Sequence, residues 1–68
     1  MYTYAKKLKE YRTKRKLTQM QLAEKLQMPQ GNYSRLEKGE QDIKFTMIMH
    51  ICKTLNVSSD WLLGLNQE

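Results

Sequence analysis

Apolar residues recur at steps of three and four along most of this 68-residue chain, which is the spacing of one face of an α-helix. The helical runs are short because Pro29, Gly39 and Gly64 interrupt them. β-branched residues are few, and no segment alternates apolar with polar residues as a half-buried strand does. We therefore expect one all-α domain over residues 1–68, built from five short helices.

Residues that favour helix ends set the predicted boundaries. Thr18 and Ser58 carry hydroxyls that can accept a hydrogen bond from a first-turn amide, so each is expected as an N-cap. Gly39, Asn56 and Gly64 are expected to end helices, since glycine and asparagine tolerate the left-handed conformation. The sequence therefore predicts helices over 3–15, from 19 until shortly before Met28-Pro29, and over 30–38, 45–55 and 59–63.

The apolar positions of these helices predict the core. Each helix places its larger apolar side chains on one face, as a helix packed against its neighbours does. The predicted core residues are Tyr4, Ala5, Leu8 and Tyr11, then Leu22, Ala23 and Leu26, then Tyr33 and Leu36, and finally Phe45, Ile48, Ile51, Cys52 and Leu55.

Positive charge is concentrated at the start of the chain. The formal net charge is +5, and residues 1–16 carry seven cations and one anion, whereas the remainder carries five cations and six anions. Such a cluster attracts phosphate polymers or anionic membranes, although a solvated helix face gives the same pattern. No apolar run is long enough to span a membrane. The single cysteine, Cys52, cannot form an internal disulfide, so we expect a cytoplasmic protein.

Enzyme chemistry is not expected from this sequence. It contains no nucleophile and base at a catalytic spacing, no phosphate-binding loop and no pair of carboxylates placed for acid-base work. His50 has no cysteine or acidic partner at ligand spacing, so we expect a surface or boundary histidine and no metal site. We also expect no cofactor.

The second and third predicted helices, with the short turn between them, form a helix-turn-helix over residues 18–38. Ala23 is small enough to let the third helix cross the second closely. Four blocks of sequence, in order and at matching spacing, resemble the XRE family, the lambda-repressor-like helix-turn-helix domains of phage repressors and Cro proteins. The blocks are Leu8-Lys9-Glu10-Tyr11-Arg12, Leu17-Thr18-Gln19 with Leu22-Ala23, Tyr33-Ser34-Arg35-Leu36-Glu37-Lys38-Gly39, and Leu55-Asn56-Val57-Ser58-Ser59-Asp60-Trp61-Leu62-Leu63-Gly64.

The resemblance implies a compact five-helix domain that binds double-stranded DNA. It implies that Gln19 anchors to a phosphate, that the third helix enters the major groove, and that Arg12 pairs with Glu37. Gln and Asn can bond adenine and Arg can bond guanine, which agrees with these roles. The residues expected to contact DNA are Lys16, Gln19, Gln30, Gly31, Asn32, Ser34, Arg35 and Lys38.

The expected function is that of a transcriptional regulator, most simply a repressor that binds a palindromic operator as a homodimer. The apolar residues of the last helix exceed what one short helix can bury, so Trp61, Leu62, Leu63 and Leu65 are expected at the dimer interface. An antitoxin or another protein-binding module that reuses the fold is the alternative, with a protein as the partner.

Four positions depart from the family pattern. Gln27 stands where a glycine is usual in the turn, and a left-handed conformation there costs about 1 kcal/mol without glycine. Pro29 stands where a capping serine or threonine is common. Glu40 and Asp42 make acidic a loop that is often basic, so phosphate contact by this loop is not expected.

Overall fold

The structure, a computed structural model, describes residues 2–65 and contains five α-helices, with no strand in that range. The helices are α1 (Thr3–Lys14), α2 (Gln19–Lys25), α3 (Gln30–Lys38), α4 (Phe45–Leu55) and α5 (Ser59–Leu62). This confirms the predicted all-α class and helix order. The first and last helices each end one residue earlier than predicted, because Arg15 and Leu63 leave the helical conformation. None of the described helices is long and apolar enough to cross a bilayer.

Side-chain caps start the two helices for which they were predicted. The Thr18 hydroxyl accepts from the Gln21 amide at 3.0 Å, and the Gln21 side chain accepts from the Thr18 amide at 2.8 Å, which completes a capping box at α2. The Ser58 hydroxyl accepts from the amide of Trp61 at 3.0 Å and starts α5. Pro29 precedes α3 without a side-chain cap, as its lack of a hydroxyl requires.

Left-handed residues set the helix ends and the tight turns. Gly39 and Asn56 end α3 and α4 with φ values of 60° and 56°. Gln27 has a φ of 58° in the turn between α2 and α3, a conformation that favours glycine. Four residues separate α2 from α3. The chain therefore makes a short turn here, and the two helices form a helix-turn-helix.

The core lies where α1, α2 and α3 meet α4 and α5. It is formed by eleven buried residues, nearly all of them predicted from the apolar spacing: Tyr4, Ala5, Leu8, Tyr11, Leu22, Ala23, Leu26, Tyr33, Ile51, Leu55 and Leu62. Leu36, Ile48 and Cys52 are half-buried and pack against this cluster. The start of α1 is tied to the segment after α3, since the Tyr4 hydroxyl donates to the Gln41 carbonyl at 2.6 Å.

Two predictions about apolar residues were wrong. Phe45 is 74% exposed. It is the first residue of α4 and lies beyond the edge of the core, against which the later apolar residues of α4 pack. Leu62, expected at a dimer interface, is fully buried within its own chain and has no surface left to meet a second subunit.

Candidate nucleic-acid interface

Helix α3 has one face packed into the domain and one face in solvent. Tyr33 is fully buried on the inner face, and Leu36 and Glu37 are half-buried beside it. The helix can only be held in this way because its apolar residues share one side. The outer face and the first turn carry the exposed residues Gln30, Gly31, Asn32, Arg35 and Lys38, with Ser34 half-buried at the edge.

Among the residues that the structure describes, no contact accounts for a glycine at position 31. A Cβ atom built there meets no atom within 4 Å, and the residue is not in the left-handed region. The glycine leaves the second position of α3 without a side chain, so the backbone is accessible on the outer face of the helix. A surface that approaches α3 can therefore come close to the backbone at this point.

A buried carboxylate locks α3 against the two preceding helices. Glu37 accepts from Arg12 Nε at 2.6 Å and from Arg12 Nη2 at 3.2 Å, which confirms the predicted ion pair. The two side chains are only 6% and 16% exposed, respectively. Arg12 also donates from Nη1 to the Leu17 carbonyl at 3.0 Å, so its guanidinium holds the turn that leads into α2. The orientation of α3 thus depends on charge-assisted hydrogen bonds as well as on apolar packing.

Two further side chains donate to the same carboxylate. Gln19 Nε2 donates to Glu37 Oε1 at 3.1 Å, and the Tyr33 hydroxyl donates to Oε2. Burial by itself would raise the pKa of Glu37, but the hydrogen bonds from Arg12, Tyr33 and Gln19 outweigh burial and hold this pKa below its ordinary value. Burial and the neighbouring carboxylate raise the pKa of Tyr33 far above its usual range, so its hydroxyl stays protonated and can donate.

Sequence reasoning missed this part of the site. The spacing of Tyr33 and Glu37, four residues apart on one helix, was a usable signal for their hydrogen bond. The hydrogen bond between Gln19 and Glu37 joins residues 18 positions apart, so no local sequence pattern predicts it. Gln19, expected to reach a phosphate, is therefore already held by Glu37 through one of the two hydrogens on its amide nitrogen.

The cations expected at the interface lie at the margins of α2 and α3. Lys16 is exposed in the turn before α2 and has a φ of 56°, so it stands just outside the first turn of that helix. Arg35 and Lys38 line a shallow depression of about 320 Å³ together with the acidic residues Glu40 and Asp42 of the following loop. The acidic loop therefore borders the cations of α3 with negative charge on the side that follows the helix.

The residues expected at a dimer interface differ in how accessible they are. Leu65 is 65% exposed, whereas Trp61 and Leu63 are half-buried. Exposed leucine and half-buried tryptophan at the end of the domain leave apolar surface that a second chain can cover. His50 lies at the edge of the core, with Nε2 2.7 Å from the Leu26 carbonyl oxygen. The described residues bring together no cluster of three metal-ligand side chains.

Comparison with known proteins places the chain in a family. The family described as Helix-turn-helix matches residues 8–62, which is most of the chain. The HTH-type transcriptional regulator ImmR of Bacillus subtilis is 37% identical over 62 residues, covering 91% of this chain and 49% of that protein. The uncharacterized HTH-type transcriptional regulator YqaE of the same organism is 33% identical over 60 residues, covering 88% of this chain and 52% of that protein.

The chain spans about half the length of these curated relatives. No solved structure matches it at a significant level. The family match begins within α1 and continues to the end of α5, through the helices in the order that the structure has them. The chain therefore belongs to the helix-turn-helix family of lambda-repressor-like DNA-binding domains, which are not enzymes.

Proposed function

We propose that this protein is a cytoplasmic transcriptional repressor that binds a palindromic operator as a homodimer. The observation that carries the proposal is the exposed polar face of α3, held outward by the buried carboxylate of Glu37. A helix that is fixed on one side and polar and open on the other suits insertion into the major groove of DNA.

The exposed side chains of α3 supply the chemistry of base recognition. Gln30 and Asn32 can each donate to N7 of adenine and accept from its N6 amino group. Arg35 can donate to O6 and N7 of guanine. Ser34 can bond either kind of base at the edge of this face. Because Gly31 has no side chain, α3 can approach the sugar-phosphate backbone closely at this position, or can leave the nearest base without a contact.

Phosphate contacts are proposed for the residues that flank α3. Lys38 lies at the end of α3, and Lys16 lies in the turn before α2. One hydrogen on the side-chain nitrogen of Gln19 is donated to Glu37, which orients the amide group. The other hydrogen is proposed to bond a phosphate oxygen. These contacts set the position and register of the protein and do not depend on base sequence.

A dimer is proposed because a short helix reads only a few base pairs. Two copies related by a two-fold axis would place their α3 helices in successive major grooves, about 34 Å apart. Of the residues expected at the interface, Leu63 and Leu65 are proposed to lie between the copies, whereas Trp61 lines a groove beside α1 and is left out of the proposed interface. Repression requires only that the dimer occupy a site that RNA polymerase must also occupy.

Selection of binding sites from random duplex DNA, followed by footprinting of the best sequence, tests this proposal. We expect an enriched inverted repeat whose half-sites are protected about one helical turn apart. Asn32→Ala combined with Arg35→Ala should abolish the enrichment, because both side chains are exposed and neither supports the core.

The matched control is Lys9→Ala, which removes an exposed cation from α1 and leaves α3 unchanged. It should retain the selected sequence. Recovery of no preferred sequence would reject the repressor proposal and favour the alternative of a protein-binding module.

A further inference from the structure

A groove lies between the C-terminal half of α1 and the start of α5, and the proposed recognition of DNA makes no use of it. Its volume is about 370 Å³. Tyr11 of α1 and the apolar side chains of Val57 and Trp61 form its floor. This volume lies at the lower end of the range of about 300–1,000 Å³ that is usual for ligand sites, and it can hold one large apolar side chain with a polar neighbour.

The acidic and basic residues that α1 contributes to the groove wall lie on a different side of that helix from its contact with α3. Arg12 turns towards α3, where it meets Glu37. Glu10 and Lys14 line the groove, and a helix of 3.6 residues per turn places each of them about 160° around the axis from Arg12. These two side chains therefore point away from the contact with Glu37.

The charged residues that line the groove are two cations and one anion, and further cations lie against its aromatic rings. The guanidinium carbon of Arg15 lies 3.7 Å from the centre of the Tyr11 ring, and Lys25 Nζ lies 5.9 Å from the same ring. Lys7 Nζ lies 5.3 Å from the centre of the Trp61 ring. The anion at the rim, Glu10, is paired with Lys14 at 3.1 Å. The positive charge at this site therefore exceeds the negative charge.

Stacking on Tyr11 prepares Arg15 for a carboxylate. One face of the guanidinium lies on the aromatic ring, while its edge remains exposed at the rim. A guanidinium that is held in this way can donate two parallel hydrogen bonds to a carboxylate and loses less side-chain entropy than a free arginine.

We infer that this groove docks a segment of a partner protein in which an aspartate or glutamate lies beside a large apolar residue. The carboxylate meets Arg15 at the rim, and the apolar side chain lies on Val57 and Trp61. The charge of the rim and the apolar character of the floor select these two groups together.

Other occupants fit the groove less well. Duplex DNA is stiff over the width of this domain and cannot bend into a groove of this size. A phosphate backbone also has no group that fills an apolar floor. A second copy of the chain would bring the same cationic rim towards itself, and the chain already carries a net charge of +5.

The single tryptophan of the chain makes the groove measurable, because Trp61 lies in its floor. The full chain is used to select binders from a random 12-residue peptide library displayed on phage. Enriched peptides are synthesised with their acids intact and with each acid replaced by the matching amide, and both versions are titrated while Trp61 emission is recorded.

We expect enriched peptides that carry an acid next to a large apolar residue and that change Trp61 emission. The amide versions and the Arg15→Gln variant should each bind at least fivefold more weakly. The matched control, Lys9→Gln, removes an exposed cation of α1 outside the groove and should change the dissociation constant less than twofold. Circular dichroism melts check that both variants remain folded.

Four results would overturn the inference. They are enriched peptides without acids, equal losses in Arg15→Gln and Lys9→Gln, a change in Trp61 emission when the protein alone is diluted, and displacement of the peptide by a random-sequence DNA duplex. The last two would assign the groove to a second copy and to DNA. All four are independent of whether the chain selects an operator.

Discussion

One carboxylate joins three helices of this domain. Glu37, near the end of α3, accepts hydrogen bonds from Arg12 of α1, Gln19 of α2 and Tyr33 of its own helix. A buried charge is stabilising only when its partners are all present, because each lost partner leaves a polar group without water. The position of α3, the proposed recognition helix, therefore depends on all the hydrogen bonds that the Glu37 carboxylate accepts.

Loss of this charge should destabilise the fold. Glu37→Gln and Arg12→Met each leave a poorly solvated partner behind, and we expect each to lower the free energy of unfolding by about 3 kcal/mol. Urea denaturation followed by circular dichroism measures the effect. Glu10→Gln is the control, since it breaks an exposed pair with Lys14 and should leave the unfolding free energy nearly unchanged. Losses below about 0.5 kcal/mol in both test variants would show that the pair is solvated.

Acid should weaken the native protein through the same residue. The pKa of Glu37 is lower in the folded chain than its ordinary value of 4.5, so the folded state favours the ionised form. The stability that it contributes is complete above pH 4.5 and is lost as the pH falls through the folded pKa. Urea melts at a series of pH values should therefore show the gap between wild type and Glu37→Gln closing in acid. A gap of constant size would contradict this assignment.

The two exposed cations of α3 should differ in their effect on binding. Arg35→Ala should cost about 1–3 kcal/mol of operator affinity and relax the preference at one base pair in each half-site. Lys38→Ala should weaken binding to all sequences alike and make the dependence on salt concentration shallower by about one unit. Titrations of the operator and its single-base variants at several salt concentrations compare the two.

A uniform loss of affinity in Arg35→Ala would show that Arg35 contacts phosphate and that the reading residues are wrongly assigned. If neither substitution changes binding, α3 does not face the DNA.

At the scale of helices, the sequence predicted most boundaries because the ends depend on local chemistry. Thr18 and Ser58 cap the helices that follow them, and Gly39 and Asn56 end the helices before them. Each of these effects involves only atoms within about one turn of the residue, so the chain itself contains the necessary information.

Contacts between helices were less accessible to prediction. The pairing of Arg12 with Glu37 came from the resemblance to a family and not from spacing. The addition of Gln19 to that pair depends on how α2 and α3 cross, which no local pattern specifies. Phe45 was assigned to the core because it continues an apolar stripe, yet periodicity does not show where the neighbouring helices stop covering that stripe.

The turn between α2 and α3 stores a small strain that substitution should release. Gln27 is left-handed at a φ of 58°, which costs about 1 kcal/mol, and Gln27→Gly should raise the free energy of unfolding by up to about 0.5 kcal/mol after the entropy of glycine is subtracted. Thermal melts measure the change. Glu24→Gly is the control, because it introduces glycine into the regular helix α2 and should lower the unfolding free energy by about 1 kcal/mol. A loss of stability in Gln27→Gly would show that the turn is unstrained.

At the scale of the whole molecule, the proposed dimer predicts how the chains associate on DNA. We expect sedimentation at micromolar concentration to show two chains on each operator. Leu65→Asp should weaken this assembly without lowering the melting temperature, since Leu65 is largely exposed in the single chain. Met49→Gln, which removes an exposed apolar side chain from α4, is the control and should assemble normally. A monomer that binds one half-site without cooperativity would exclude the dimer.

The division of α3 into a buried and an open face has a consequence for how such a protein can evolve. Tyr33 and Glu37 hold the helix in place, while Gly31, Asn32 and Arg35 share no core contact with them. Exposed substitutions of this kind usually change stability by less than about 0.5 kcal/mol. A lineage can therefore exchange the open residues one at a time without passing through unfolded intermediates, and a duplicated copy can acquire a new target while its scaffold stays the same.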